Sequence, residues 1–458
     1  MGKTNDTLKI IIVGCGKVGA TLVEQLSQEG HDITVIDLNQ DCISNLSDTY
    51  DILGIVGSGA SFTVQREAGV ETADLMIAVT GSDELNMLCC TIARKVGHCK
   101  TIARVRNPDY AQELDYLRRQ LGLSRIINPE MEAATEIARI LRLPTALEID
   151  SFAKGGAELI RFQIPKGNRL HGVTVAEAAI TLRCGALFCA VEHGHKLAIP
   201  DGNFVLHEED LVSVLVSAKD ASTFFDSIGV PTHQVGSTMI IGGGKCSYYL
   251  AKQLLEMGIQ VKIIERDYDR CTELCALLPK AHILHGDGTD EQLLKEEGID
   301  RIASFVPLTG LDEENILLTL YAKQNTNCKV ITKLNRVSFQ DVISHLELGS
   351  IIYPRYITSA IIIAYVRALQ NTIGNNIETL YHLFDHRAEA MEFSVEENAP
   401  VIGIPLAKLP LKDHLLIACI NRGGQILLPR GNDSIQTGDT VIVVTTHTGF
   451  HSIADILG

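Results

Sequence analysis

One feature limits the fold of this 458-residue chain more than any other: its second half repeats its first. The run from Lys9 to Gly19, KIIIVGCGKVG, is answered by TMIIGGGKCS from Thr238 to Ser247, with Gly14 and Gly242 standing 228 positions apart. Ile33-Thr-Val-Ile-Asp37 parallels Val261-Lys-Ile-Ile-Glu265 at the same offset of 228. Gly57-Ser58-Gly59 recurs as Gly286-Asp287-Gly288, and Thr80-Gly81-Ser82-Asp83-Glu84-Leu85-Asn86 as Thr309-Gly310-Leu311-Asp312-Glu313-Glu314-Asn315, both 229 positions on. Pro200-Asp201-Gly202 with Asp210, and Pro429-Arg430-Gly431 with Asp439, carry that offset of 229 to the ends of the halves. The chain therefore builds one two-part unit twice.

Each unit begins with short β-branched runs alternating with helical ones, the pattern of βαβ crossovers and a parallel sheet. Strands are expected at 9–13, 33–37, 75–79 and 100–105. Asn128-Pro129 pairs an N-cap residue with a proline in the first turn of a helix. Met131, Ala134, Ile137, Ala138 and Leu141 follow at helical spacing, and Pro144 stops the helix. Its partner, 354–370, is dense in Ile361, Ile362, Ile363 and Val366; both helices close a nucleotide fold and offer a face for packing between copies. The second part of each unit has short strands at 159–164, 188–191 and 211–216, then at 390–395, 416–420 and 441–444. The expected fold is α/β: two Rossmann-like doubly wound parallel-sheet domains at 1–143 and 233–372, each followed by a small α+β domain at 144–232 and 373–458.

Gly14-x-Gly16-x-x-Gly19 follows a strand and opens a helix, and Asp37 ends the next strand. The first glycine permits a tight turn, the second lets backbone approach a pyrophosphate, and the third lets helix pack on strand. The helix N-terminus offers free N–H groups and partial positive charge to phosphates. Asp37 would accept ribose hydroxyls and repel a 2′-phosphate, favouring NAD or NADH over NADP. In the second copy Ser247 replaces the third glycine and Glu265 is followed by Arg266, which implies either a structural relic or a site of different selectivity, ATP and ADP included. Thr80-Gly81 and Thr309-Gly310 lie beyond strand ends, where doubly wound sheets hold ligands. Arg104 and Lys333 place a cation at the next strand end in both halves, suited to a phosphate or to a surface salt bridge.

His382, Asp385 and His386 have spacing that would hold zinc only on a helix, and 381–384 reads as strand, so no metal site is expected. Cys271 and Cys275 read as the buried face of one helix. A formal charge of −16 argues against a nucleic-acid partner, because phosphate contacts need clustered Lys and Arg. The longest uncharged apolar run, between Arg355 and Arg367, is about half the ~20 residues of a membrane-spanning helix. Neither a C-x-x-C spacing nor a signal-peptide pattern occurs, which fits a reducing cytoplasm.

The order glycine loop, acidic strand end, Thr-Gly-Ser-Asp-Glu, Asn-Pro before a closing helix, then a small strand-rich module, all of it twice, resembles the regulator of K⁺ conductance (RCK) family in its tandem, TrkA-type form. The resemblance spans essentially the whole chain. It implies a peripheral cytoplasmic subunit on the inner face of the membrane, forming a homo-oligomeric ring, expected to be tetrameric, on an integral Trk-type potassium transporter. It also implies that nucleotide binding reshapes the ring and so controls K⁺ uptake, with no catalytic residues. The nucleotide positions carried over are Gly14, Cys15, Gly16, Lys17, Val18, Asp37, Thr80, Gly81 and Arg104. Their repeats are Gly242, Gly243, Gly244, Lys245, Cys246, Glu265, Thr309, Gly310 and Lys333. The competing readings are an NAD-dependent oxidoreductase, which would need a substrate domain supplying an acid or base near the nicotinamide, and a regulator of a K⁺ efflux system.

Overall fold

The duplication is realised as four sheets in a computed structural model that describes residues 7–458 apart from 112, 183, 184, 195, 231, 336–342, 344, 345, 347, 371–374, 385 and 386. The first sheet comprises β1 (Lys9–Val13), β2 (Asp32–Asp37), β3 (Leu53–Val56), β4 (Leu75–Ala78), β5 (Lys100–Arg104) and β6 (Arg125–Ile127), in the order 3-2-1-4-5-6. All its strand pairs are parallel. Helices cover both faces, so Ile10, Ile11, Ile12 and Val13 of β1 are all buried rather than alternating. Strand order reverses between β1 and β4, the place where a doubly wound sheet opens a crevice.

The second sheet is antiparallel: β7 (Glu148–Phe152), β8 (Ala157–Gln163), β9 (Ala186–His193), β10 (Lys196–Ala198) and β11 (Leu211–Ser217), ordered 10-9-11-8-7. The third repeats the first with β12 (Ser237–Ile241), β13 (Gln260–Glu265), β14 (His282–His285), β15 (Ser304–Pro307), β16 (Lys329–Lys333) and β17 (Ser350–Ile352), ordered 14-13-12-15-16-17. The fourth repeats the second with β18 (Asn375–Leu383), β19 (Ala388–Val395), β20 (Leu415–Arg422), β21 (Gln425–Leu427) and β22 (Thr440–Thr445), ordered 18-19-22-20-21. The expected α/β class with paired small α+β modules is therefore what the chain adopts. Strands β3, β6, β7 and β10, with the repeats β14, β17 and β21, add to those expected from the sequence, while β18 extends the strand read at 381–384; several are three or four residues long, too short to show a period.

The halves are cross-packed. Asn128 caps the Pro129–Arg142 helix by accepting the Met131 N–H at 3.1 Å, as its position before the proline predicts. That helix buries Ala133, Ala134, Ile137, Ala138, Ile140 and Leu141, more than one narrow stripe, so a single sheet cannot cover it. It packs against the Lys245–Glu256 helix of the second half. Tyr249 of that helix donates its hydroxyl to the Arg106 carbonyl at 3.0 Å and accepts from Asn128 Nδ2 at 2.9 Å. The repeat does the converse: the Pro354–Gln370 helix packs against the Lys17–Gln28 helix of the first half, and the two closing helices meet each other. One core accordingly joins the first antiparallel sheet to the second nucleotide fold. Another joins the second antiparallel sheet to the first nucleotide fold. The antiparallel sheets face each other through Phe152, Leu159 and Leu215 on one side and Phe384, Ala390 and Val444 on the other.

Lys329 at the start of β16 ties the halves from beneath, its ammonium donating to the Ala146 carbonyl at 2.5 Å. Burial, aided by Lys323, pushes this lysine from its ordinary 10.5 down to about 7. Between those values the folded chain binds fewer protons than the unfolded one, so Lys329 makes stability rise with pH across that window, and its penalty is complete below about pH 7. Lys329→Met should therefore gain more stability relative to wild type at pH 7 than at pH 9.5. Urea unfolding of both proteins at the two pH values checks this; a difference that does not change with pH would contradict it.

Candidate nucleotide-binding sites

The first glycine loop is shaped by contacts that leave no room for side chains. Gly14 turns with φ of +108°, a conformation that suits glycine, while its N–H donates to the Ile36 carbonyl at 2.9 Å. A Cβ at Gly19 would stand 1.9 Å from the Gly14 carbonyl oxygen, so the third glycine is fixed by helix-to-strand contact. Gly16 is different: it opens the Lys17–Gln28 helix with no side-chain cap, and a Cβ there would meet nothing within 4 Å. The helix thus points its unsatisfied N-terminal N–H groups into open space. Lys17 is exposed and Val18 half-buried at the rim, while Cys15 is buried beneath.

Asp37, at the end of β2, accepts the Cys15 N–H at 2.6 Å through one oxygen and the Asn39 N–H at 2.8 Å through the other. A carboxylate has about four acceptor positions, so capacity remains for ribose hydroxyls. Thr80 follows β4 directly, and its backbone N borders the space where a Cβ on Gly14 would lie, 3.1 Å away. The turn is organised by a residue whose role the motif alone did not reveal. Buried Asn86 accepts both the Thr80 N–H at 2.8 Å and the Thr80 hydroxyl at 2.7 Å, and donates to the Arg104 carbonyl at 2.9 Å. Asp83, equally buried, accepts the N–H groups of Arg106 at 2.8 Å and Asn107 at 2.7 Å. The Thr-Gly-Ser-Asp-Glu-Leu-Asn run is thus a clamp joining the ends of β4 and β5, and it leaves Gly81 facing open space.

Arg104 is not in a surface salt bridge. Its side chain is 16% exposed, reaches the Val79 carbonyl at 3.4 Å, and lies 3.8 Å from Glu130. Burial lowers the guanidinium pKa, with Glu130 opposing, and its buried Nε has no hydrogen-bond partner. Gly14, Cys15, Asp37, Thr80, Gly81 and Arg104 therefore converge on one crevice at the β1/β4 switch point.

The second crevice copies this scheme atom for atom in most places. Gly242 turns with φ of +95°. Glu265 accepts the N–H of Gly243 at 2.5 Å and of Asp267 at 2.8 Å. Asn315 accepts the Thr309 N–H and hydroxyl and donates to the Lys333 carbonyl, while Gly310 faces open space like Gly81. The Lys333 ammonium donates to Leu308, the counterpart of Val79, at 3.1 Å, and burial lowers its pKa, with Cys246 opposing. Ser247, where the first loop has Gly19, donates its hydroxyl to the Gly242 carbonyl at 2.5 Å, so it bonds to the oxygen that a first-loop Cβ would strike. Arg270 takes the place of Cys42: its Nε donates to the Gly243 carbonyl at 2.6 Å, where Cys42 donates its thiol to the Cys15 carbonyl at 2.9 Å. That adds a guanidinium beside the second loop which position-by-position comparison of the two runs did not single out. Gly244 and Lys245 lie at the rim, and Cys246 is buried.

Charged groups beside each glycine loop lie within electrostatic reach of the opposite half. Glu84 of the first half is held below the usual carboxylate range by its own backbone N–H, Ser82 and Tyr110, with Lys245 of the second loop adding to the effect. Lys17 of the first loop is in turn near enough to Lys333 to oppose its charge. Other expectations resolve differently. His382 lies in β18, 3.7 Å from Glu389, while Asp385 and His386 fall outside the described residues. Cys271 is buried, but Cys275 is exposed, so the two do not form one buried face.

The TrkA-N domain family matches residues 10–129 and 238–354, and the TrkA-C domain family matches 159–229 and 390–458. The Trk system potassium uptake protein TrkA homolog 1 of Methanosarcina mazei is 31% identical over 444 residues, covering 95% of this chain and 97% of that protein. The Trk system potassium uptake protein TrkA of Halomonas elongata is 30% identical, covering 95% of each. Among solved structures, the GsuK channel bound to NAD has a TM-score of 0.63 at 20% identity, covering 97% of this chain and 78% of that one. The GsuK RCK domain gives 0.64 at 19% identity, covering 97% and 93%. With duplicated TrkA-N and TrkA-C domains along its length and relatives matched end to end, the chain belongs to the TrkA family.

Proposed function

We propose that the chain is a nucleotide-sensing regulatory subunit that assembles as a homo-oligomeric ring, four chains being the expected number, on the cytoplasmic face of a membrane potassium transporter and controls K⁺ uptake. The names of its relatives, which are Trk potassium uptake proteins, support the transport role. Among the described residues no helix is long and apolar enough to cross a membrane, so a pathway for K⁺ would be supplied by an integral partner. The observation that carries the reading is the pair of crevices, each built at a switch point, in two halves joined by cores that each span both of them.

In this account the first site holds NAD or NADH. The backbone from Gly14 to Val18 receives the pyrophosphate, Asp37 the ribose hydroxyls, and Thr80, Gly81 and Arg104 line the far wall. The second site uses Gly242 to Cys246, Glu265, Thr309, Gly310 and Lys333, with Arg266 and Arg270 adding positive charge that suits a terminal phosphate such as that of ADP or ATP. Solved GsuK structures are described with NAD and with ADP bound, which agrees with both ligand types. A ligand shifts a conformational equilibrium only through its differential affinity for the two states, with couplings of about 1–3 kcal/mol. Crevices in two halves that share cross-packed cores are placed to supply that difference when they close on a nucleotide.

An oxidoreductase would need an acid or base aimed at the nicotinamide. Each nucleotide fold is followed instead by an antiparallel module whose core is shared with the opposite half. Calorimetric titration with NADH is the test. Asp37→Ala should weaken binding by about 1–3 kcal/mol through lost charge-assisted hydrogen bonds, and the nicotinamide absorbance should stay constant when small ketones and aldehydes are added. Unchanged affinity would remove Asp37 from the site, and NADH turnover would overturn the regulatory reading.

A further inference from the structure

The two antiparallel modules differ at one corner in a way that their shared fold does not require. In the second module Asp439, just before β22, is almost fully buried and is neutralised by Arg422 at the end of β20, which donates from Nε at 2.8 Å and from Nη2 at 2.7 Å. The Gln436 N–H completes the cage at 2.8 Å. In the first module Asp210 occupies the same corner before β11 and is 2% exposed. The arginine position is His193, at the end of β9, and the glutamine position is His207.

His193 Nδ1 lies 2.6 Å from one oxygen of Asp210, and His207 Nδ1 lies 3.9 Å from the other. The two imidazole rings stand 4.9 Å apart, and one ligand atom from each of the three residues falls within 4.8 Å of the others. Among the described residues no lysine or arginine nitrogen comes within the 4.0 Å of an ion pair with Asp210. A buried carboxylate that a permanent cation neutralises in one module is thus faced in the other by two imidazoles.

From this juxtaposition we infer that His193, His207 and Asp210 form a binding site for a divalent transition-metal ion of the zinc class. Two imidazole nitrogens and a carboxylate oxygen suit such an ion, with water completing the tetrahedron. Ligand distances of about 2.0–2.2 Å need the three atoms to draw closer than they stand. His207, with 45% of its side chain exposed, has the freedom to rotate inward. His193 loses its hydrogen bond to Asp210 when the ion enters and becomes a ligand through the same nitrogen. The spacing 382–386 considered from the sequence gave no hint of this site, because its ligands come from two strand ends and a loop that only the hairpin fold brings together.

The full-length chain, stripped with chelator and desalted, should bind Zn²⁺ in calorimetry with micromolar or tighter affinity. His193→Arg and His207→Gln install the residues the second module already carries, so both variants should melt like the metal-free wild type yet lose this binding by at least tenfold. Co²⁺ substitution should give a visible spectrum without thiolate charge-transfer bands, since no cysteine belongs to the site. Absence of zinc binding in the wild type, wild-type affinity in either variant, or a thiolate band in the cobalt spectrum would each overturn the assignment.

Discussion

Gly16→Ala is expected to weaken dinucleotide binding at the first crevice by roughly 5- to 150-fold while lowering the melting temperature of the empty protein only slightly. At φ −64° and ψ −174° the backbone of Gly16 is open to any residue, and a Cβ meets nothing within 4 Å. Exchanging glycine for alanine at a helix N-cap costs only about 1 kcal/mol of helix stability. The methyl group would instead occupy the space in front of the helix N-terminus where the proposed site receives the pyrophosphate against backbone. Overpacking of a close-fitting contact costs about 1–3 kcal/mol, roughly 5- to 150-fold in affinity. Gly19→Ala provides the contrast, because its Cβ would run into the Gly14 carbonyl within the protein itself and should lower the melting temperature before any ligand is added. Calorimetry and thermal melts on the two variants separate these effects; a Gly16→Ala protein that binds NADH like wild type would move the ligand out of this crevice.

Arg367→Met should destabilise the folded chain by about 3–5 kcal/mol, the largest single-residue effect expected here. Arg367 projects from the Pro354–Gln370 helix with 3% of its side chain exposed. It donates to Glu29 Oε1 from Nε at 3.0 Å and from Nη2 at 2.5 Å, and to Glu389 of β19 from Nη1 at 3.2 Å and Nη2 at 3.3 Å. Burial works against the guanidinium charge, but Glu389 and Glu29 outweigh it and raise its pKa. One side chain thus joins the end of the first glycine-loop helix, the second half's closing helix and the second antiparallel sheet. Methionine fills similar volume but leaves two carboxylates unneutralised in a nearly dry site. Adding Glu29→Gln and Glu389→Gln to Arg367→Met should recover most of the loss, since paired charges can be replaced together at small cost. Urea unfolding midpoints would show it; a single variant as stable as wild type would mean that the network does not hold the halves together.

The repeat, the α/β class and the turn and strand-end positions around each glycine loop were legible in the sequence because each leaves a local signal: a strand, a glycine at a forced turn, an acid at a strand end. Ser247 was legible as a departure, though not that its hydroxyl would bond to the Gly242 carbonyl. Asn86 and Asp83 were hidden within a motif noticed for its threonine and glycine, since their work is to bond backbone groups some 20 residues away, and sequence spacing carries no trace of such distant partners. That the closing helices pack between copies was legible, but which sheet covers each was hidden for a related reason. Periodicity shows that the Pro129–Arg142 helix has a broad apolar surface, but which sheet covers it depends on contacts more than 100 residues apart, such as Asn128 with Tyr249. Arg104 shows the limit from the other direction, because a strand-end cation reads as exposed until burial is known.

The central claim is that nucleotides in two unlike crevices set potassium transport. The direct measurement is ⁸⁶Rb⁺ flux into vesicles holding the membrane partner co-purified with this chain, comparing wild type with Gly16→Ala and Gly244→Ala while NADH, NAD, ADP and ATP are varied. Both glycines face open space in their loops, so neither substitution should disturb the fold. Each variant is expected to change flux, Gly16→Ala by removing the response to NADH and NAD, and Gly244→Ala by removing the response to ADP and ATP. Flux indifferent to both substitutions, or identical nucleotide responses in the two variants, would contradict the account.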